Sequence, residues 1–437
     1  MTTTLDAVRR PVLAERDFRL LFTAAAASKI STQLGALAVP LLAQSVLHAG
    51  PGQVGLLAAL GTAAFLLVGL PAGAWVDRMR KRRVLVAADL VRAGLVGSVP
   101  AAWALGVLTL PQLYAVTLLS GVATVFFDVA HLSVLPALVG RGRLVAANAA
   151  LAGLSTVSDV SGRAVGGFVV QGLGAPLAVL VDAFGYLWSA CFLRNLRPAE
   201  SGRPYPASGR RGVGEGLRFV LGHPVLRPTM LEGALANFSI QMCQVGFLVL
   251  FTSGLRLPAG VLGLFLAAGG AGAFLGSLAA PVLARRLGVG RALWLAGIAV
   301  APFAPLVALV QRGPLLWAAG LCWAVSLFKV GVDNVLLVSF RQHVTPDAML
   351  GRMNATARFL LTGALALGGV LAGIVGQYAG VRAVLWIGVT GLAFRWLIVF
   401  FSPVRRVTTM DEEAAGLASA PPQERSEFAR PGSERGA

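Results

Sequence analysis

Ionisable side chains sit inside the long apolar runs of this chain: Lys29, Asp128, His131, Asp159, Arg163, Asp182, Glu232, Lys329 and Asp333. At membrane depth each costs at least ~2.5–3.5 kcal/mol on insertion scales, so such groups line a cavity, find a partner, or both. Asp159 with Arg163, and Lys329 with Asp333, are spaced i,i+4, which puts each pair on one helix face. Two readings stay open for both pairs. One is a fixed structural ion pair; the other is a cavity-lining pair whose carboxylate takes up a proton when its partner moves away. Asp128 has no lysine or arginine three or four positions away on its own helix, only His131. Its charged form pays desolvation without local compensation, which makes it the first candidate for a proton or cationic-substrate site, with Glu232 and Asp333 next. Amides add polar stripes. Asn237, Gln241 and Gln244 recur at i, i+4, i+7, and Gln33 follows Lys29 by four. Helix–helix hydrogen bonding is the competing reading for these amides.

A second constellation lies in GAWVDRMRKRRVLVAADLVRAG, Gly73 to Gly94, where Asp77 precedes Arg78, Arg80, Lys81, Arg82 and Arg83. Each basic residue gains ~1 kcal/mol from anionic headgroups, enough to hold the loop at one membrane face. Asp89 and Arg92, spaced i,i+3, can extend a network from Asp77. Other chemistry has no residues to carry it. There is no G-x-x-x-x-G-K-[ST] loop for a nucleotide and no H-E-x-x-H, and the four histidines are scattered. Cys191, Cys243 and Cys322 lie singly in apolar runs and read as small buried thiols without a disulfide framework. No catalytic residue, metal or cofactor is expected.

The elements that hold these groups must be membrane helices. Of the 437 residues, 56% are hydrophobic and 13% charged, about half the charged share of a soluble domain. Runs of about 20 apolar residues, the length that crosses a bilayer, recur along the chain. Gly, Pro and charge clusters divide them into twelve spans: 18–46, 53–76, 84–105, 111–135, 146–171, 176–195, 226–252, 259–284, 291–311, 315–339, 355–377 and 382–402. The net charge of +18 does not signal nucleic acid, because the basic residues fall in short clusters between spans. The N-terminus does not read as a cleaved signal peptide. The basic clusters all fall on one side: the N-terminus, the loops after spans 2, 4, 6, 8 and 10, and the stretch after span 12. Only Arg256, Arg312 and Arg382 fall opposite. The positive-inside rule then places both termini in the cytoplasm. Residues 1–195 form one six-span half, 196–225 a cytoplasmic middle loop with a short helix at Gly212–His223, and 226–402 the second half. Residues 403–437 are expected to be a disordered tail. Arg358 and Arg395 are expected to snorkel to the boundary. The glycine-rich runs 269–277 and 363–373 allow close helix approach.

The halves repeat. At a shift of 206, LVAANA (144–149) lies on LGRMNA (350–355), Gly162 on Gly368, Gly167 on Gly373 and Gln171 on Gln377. Between 72–85 and 280–293, Arg78 meets Arg285 at a shift of 207, and Ala284 occupies the place of Asp77.

Gly73, Asp77, Arg78 and Arg82 after the second of twelve spans resemble the loop motif of the major facilitator superfamily. DFRLLF (17–22), VAADLVRA (86–93), VLPALVGRGRLVAANA (134–149) and NVLLVSFRQHVTPDAMLGRMNA (334–355) are similar to its drug, macrolide and enterobactin efflux branch. The resemblance covers roughly 15–402. It implies an all-α integral membrane protein of twelve transmembrane helices in two pseudo-symmetric six-helix bundles, the major facilitator fold. It further implies a secondary active transporter in the cell inner membrane, working as a monomer, that exports small amphipathic molecules by alternating access against protons. Spans 1, 4, 7 and 10 would line the cavity, so Lys29, Gln33, Asp128, Glu232, Asn237, Gln241, Lys329 and Asp333 become the substrate and proton pathway, joined by Asp159 and Arg163 of span 5. Gly73, Asp77, Arg78, Arg82, Asp89 and Arg92 become a cytoplasmic latch that would meet span 11. Asp182 matches a position where the branch often has a polar or acidic residue, and a structural or a functional role stays open. The chain departs from the family in three places: the second-half copy lacks the acid, Arg163 replaces the proline of the span 5 antiporter pattern, and the first half of span 4 has no arginine. Lipid flipping and solute import by the same fold are the alternatives within the class. A membrane enzyme or sensor is the alternative outside it.

Overall fold

The computed structural model describes residues 12–139, 143–197 and 211–407, and among these there is no strand. Helices stand at all twelve expected positions. The first six spans are Arg16–Leu47, Pro51–Asp77, Lys81–Ala104, Leu110–Val139, Leu144–Leu173 and Ala175–Arg194. Span 7 is Leu226–Val249, continued by a π-helical turn at Leu250–Gly254. Spans 8 to 12 are Ala259–Leu287, Val289–Val300 with Phe303–Val307, Pro314–Val344, Asp347–Tyr378, and Val381–Phe394 with Trp396–Phe400. Ten of the described helices are long and apolar enough to cross a membrane. Span 5 falls short because Ser155, Thr156, Ser158, Asp159, Ser161 and Arg163 dilute its apolar run. Span 9 falls short because it breaks between Val300 and Phe303, where Pro302 has no N–H to continue the ladder.

The turns repeat with the spans. Gly174 and Gly380, at φ 82° and 84°, link spans 5 to 6 and 11 to 12 in a conformation that a side chain would strain. Span 1 packs on spans 5 and 6, span 3 on spans 4 and 6, and span 2 on span 4. In the other half, span 7 packs on spans 11 and 12 and span 10 on spans 8 and 9. The two sets meet where span 2 packs on span 11 and span 5 on span 8.

Those two crossings are copies of each other. Take as the basic end the one where the even-numbered spans finish, beside the arginine-rich loops. At the opposite, far end, a Cβ on Gly55 of span 2 would stand 2.5 Å from Gly373 Cα of span 11. A Cβ on Gly263 of span 8 would stand 2.9 Å from Gly167 Cα of span 5. Gly55 and Gly263 are repeat partners, as are Gly167 and Gly373. The Gly260 N–H donates to Gln171 Oε1 at 3.2 Å beside one crossing, and Thr252 Oγ1 donates to Gln44 Oε1 at 2.7 Å between spans 7 and 1. Backbone contact of this kind closes the far end.

Near the basic end, the middle segment forms an amphipathic helix, Arg211–Gly222, whose Phe219 and Val220 pack with Met230, Met353 and Ala357. His223 Nδ1 accepts from the N–H groups of Val225 and Leu226 at 3.2 and 3.4 Å, which starts span 7, and burial pushes this imidazole below its ordinary range. Residues 198–210 lie outside the described residues. So does most of the tail, but its first part corrects the expectation of disorder from 403. Pro403–Arg406 form a 3-10 turn, and the Gly290 N–H donates to the Val407 carbonyl at 2.9 Å.

Candidate functional site

Among the described residues, most ionisable groups of the spans fall into three clusters. One bridges the halves, one is buried in each.

Between the halves, Arg358 Nη2 of span 11 stands 3.5 Å from Asp128 Oδ2 of span 4, and its guanidinium lies 4.3 Å over the Phe65 ring of span 2. The two side chains are 46% and 41% exposed. This corrects two expectations. Asp128 lacks a partner only on its own helix, and Arg358 spans the interface rather than snorkelling. Both follow from an interhelical contact that spacing along one chain cannot reveal. One turn from Asp128, the buried His131 stacks on Phe127 at 5.9 Å and feels the charges of Asp128 and Lys29. Asp159 of span 5, also exposed, accepts from Gln33 Nε2 of span 1. No ion pair among the described residues joins it to Arg163, so the i,i+4 pairing expected there is replaced by an amide across two helices. The first bonds of the span 7 amides are structural. Asn237 Nδ2 donates to the Leu361 carbonyl of span 11 at 3.1 Å, and Gln241 packs on Gly368 as Gln33 packs on Gly162.

The second half encloses four charges. Lys329 Nζ donates to Asp333 Oδ1 and Oδ2 at 2.8 and 2.7 Å and to Glu232 Oε1 at 2.8 Å. Arg395 Nη1 meets Glu232 Oε1 and Asp333 Oδ2, both at 2.7 Å. All four side chains are at most 5% exposed. Spacing pairs Lys329 with Asp333, as found, but Glu232 and Arg395 complete the set from spans 7 and 12. Arg395 is therefore a buried ion-pair partner and does not snorkel, and Glu232 faces this cluster instead of an open cavity. Two acids and two bases cancel, which is the condition under which charges survive burial.

The first half holds a different set. Arg92 of span 3 is 1% exposed, ion-paired to Asp89, and sandwiched between the rings of Phe127 at 4.5 Å and Tyr186 at 4.4 Å. Its Nη1 reaches Thr124 Oγ1 at 3.5 Å. Asp182 of span 6, one turn before Tyr186, is 2% exposed, and Gly35 of span 1 leaves the space that its carboxyl fills. The i,i+3 spacing pairs Asp89 with Arg92, but both point into the bundle, away from the loop they were expected to extend. Sequence alone offered one signal for the full set, a tyrosine one turn after Asp182.

Of the remaining latch residues, Arg78 is exposed, Gly73 has open space around it, and Arg82 donates to the Arg194 carbonyl at the end of span 6. The Asp77 side chain lies outside the described residues. Among the cysteines, Cys243 and Cys322 are buried, whereas Cys191 is exposed on span 6, correcting the buried reading there.

Known proteins share this architecture. At 17% identity, a bacterial homologue of the iron transporter ferroportin, solved in an inward-facing state, superposes with a TM-score of 0.69 over 90% of this chain and 99% of its own. The nucleoside transporter NupG gives 0.68 at 14% identity over 87% and 99%. Both show the fold. In sequence, the multidrug efflux pump Tap of Mycolicibacterium fortuitum is 28% identical over 339 residues, 75% of this chain and 81% of that protein. The enterobactin exporter EntS of Escherichia coli O1:K1 is 29% identical over 346 residues, 77% and 80%. The family model described as transmembrane secretion effector matches residues 10–430. The chain thus belongs to the transmembrane secretion effector family of the major facilitator superfamily, whose members here are multi-pass efflux transporters of small molecules.

Proposed function

We propose that this transporter exports small amphipathic molecules in exchange for protons, rocking its two halves about a central cavity in the inner membrane. Residues 1–195 and 226–402 are the moving halves, 196–225 is the cytoplasmic connection, and a single chain suffices. With the basic end in the cytoplasm, the closed far end makes the described conformation one that faces inward. Tap and EntS carry drug efflux and enterobactin export in their names, which supports a cargo with an apolar body and polar groups.

One observation carries the coupling. Arg358 and Asp128 join the halves through an exposed ion pair. Protonating Asp128 removes the charge that attracts Arg358, so proton loading and relative motion of spans 4 and 11 share one free energy. Lys29, Gln33 and Asp159 line the same space, and a cargo that competes for Arg358 or Asp128 would exchange with the proton. The buried quartet of Glu232, Lys329, Asp333 and Arg395 holds the second half rigid while this happens. Asp77, with Arg78, acts at the basic end when the carrier faces outward.

The test is flux. Everted vesicles energised by respiration should accumulate a lipophilic cationic or catecholate probe, and a protonophore should abolish the accumulation. Uptake insensitive to the protonophore would refute proton coupling, and movement of fluorescent phospholipid alone would favour flipping. For orientation, Ser208→Cys should resist an impermeant thiol reagent in intact cells, while Gly50→Cys should be labelled.

A further inference from the structure

The first half buries more acid than base. Asp89, Arg92 and Asp182 are 0%, 1% and 2% exposed. Arg92 is paired with Asp89. Among the described residues Asp182 has no ion-pair partner, and its Oδ1 has no hydrogen-bond donor. Arg92, over the ring of Tyr186 one turn from Asp182, is the cation that span 3 brings toward this carboxyl. Span 1 meets it at Gly35, span 6 carries Tyr186 one turn on, and span 3 brings Arg92, paired with Asp89, onto the rings of Tyr186 and of Phe127 from span 4. His131, on the far turn of span 4, stacks on the same Phe127. None of these supplies a second positive charge beside Asp182. A lone ionised carboxylate in such a site is strongly disfavoured, and the ordinary escape is neutralisation.

We infer that the Asp89–Arg92–Asp182 cluster is a proton-binding site, with Asp182 carrying one carboxylic proton that Arg92 can exchange for by swinging between the two acids. The quartet of the second half is the internal control: with two acids and two bases it needs no proton. The site also has an exit. Tyr186 Oη lies 3.1 Å from Thr32 Oγ1 of span 1, whose next residue is Gln33 at the cavity. A hydroxyl pair therefore stands between the buried cluster and the space between the halves. Motion of span 1 against span 6 would make or break that contact, since Gly35 and Gly185 bring the two helices together against Asp182 and Ser31. The second half reverses this packing, with Cys243 on span 7 filling the space left by Gly388 on span 12, and places no acid there.

This inference goes beyond the coupling reading, because the proton is held whether or not transport is proton-driven. Infrared difference spectra of the purified, lipid-reconstituted chain in light and heavy water should show a carboxylic C=O stretch at neutral pH. Asp182→Asn should remove it. Asp89→Asn should also remove it, by freeing Arg92 to pair with Asp182 as a carboxylate. Arg92→Gln should double it, since both acids then need protons. Asp128→Asn should leave it unchanged. Where Asp182→Asn does not fold, Asp182→Glu should keep the band and shift its frequency. Absence of a carboxylic band in the wild type, its persistence in Asp182→Asn, or an unshifted band in Asp182→Glu would overturn the assignment. Loss of protonophore-sensitive flux in Asp128→Asn, measured separately, bears only on the coupling reading.

Discussion

The two halves descend from one pattern and use it differently. Each buries a cluster of charge between its helices, but the second half balances two acids against two bases on spans 7, 10 and 12, and the first sets two acids against one arginine on spans 3 and 6. A neutral quartet in a dry site is an anchor, because removing any member strands the others. An unbalanced triad is a site whose charge depends on a proton. Spans 7, 10 and 12 thus serve as a fixed frame, and spans 1, 3 and 6 hold the element that can change state. By contrast the seal between the halves is symmetric, with glycine facing glycine at both crossings.

The largest effect is expected at the anchor. Glu232→Gln leaves Lys329 and Arg395 sharing one carboxylate and should lower stability by about 3–5 kcal/mol, read as loss of folded protein in detergent with rising denaturant. Combining it with Arg395→Met should recover most of that loss, because the charges balance again. Absence of recovery would break the picture of a neutral quartet. Next comes the seal. Gly55→Ala and Gly263→Ala each place a methyl group against backbone, and overpacking of this kind costs roughly 1–3 kcal/mol. Spin-label distances between the far ends of spans 2 and 11 or 5 and 8 should lengthen equally in the two variants. A one-sided change would show that the crossings are not equivalent.

Smaller still is the stability effect of Asp128→Asn. An ion pair with both members more than 40% exposed contributes about 0–1 kcal/mol, yet the variant should lose gradient-driven flux while retaining exchange and expression. Arg358→Gln should reproduce this, which separates a bridging role from a simple carboxylate site. The least perturbing change is Cys191→Ser, on the exposed side of span 6, expected within about 0.5 kcal/mol of wild type. In membranes a lipid-soluble maleimide should label Cys191 and spare Cys243.

Much of this was readable before any coordinates. Long apolar runs punctuated by Gly, Pro and arginine fix where helices begin and end, because a bilayer forces each run to satisfy its own backbone. The repeat at 206 anticipates the equivalence of Gly167 and Gly373, and i,i+4 spacing pairs Lys329 with Asp333, because both are properties of one chain or one helix. The pairings that matter for function were not readable. Arg395 lies 163 positions from Glu232, and Arg358 lies 230 from Asp128. Local spacing cannot rank such partners, so an arginine near a helix end looks like one that snorkels, and Asp159 looks committed to Arg163 although Gln33 reaches it from span 1. Residues and their order determined that the chain spans a membrane and that it does so as a repeated six-helix unit. Which acid meets which base was decided only when the helices packed, since a charge in a low-dielectric interior is governed by its nearest neighbours in space, and those come from helices far apart in the chain.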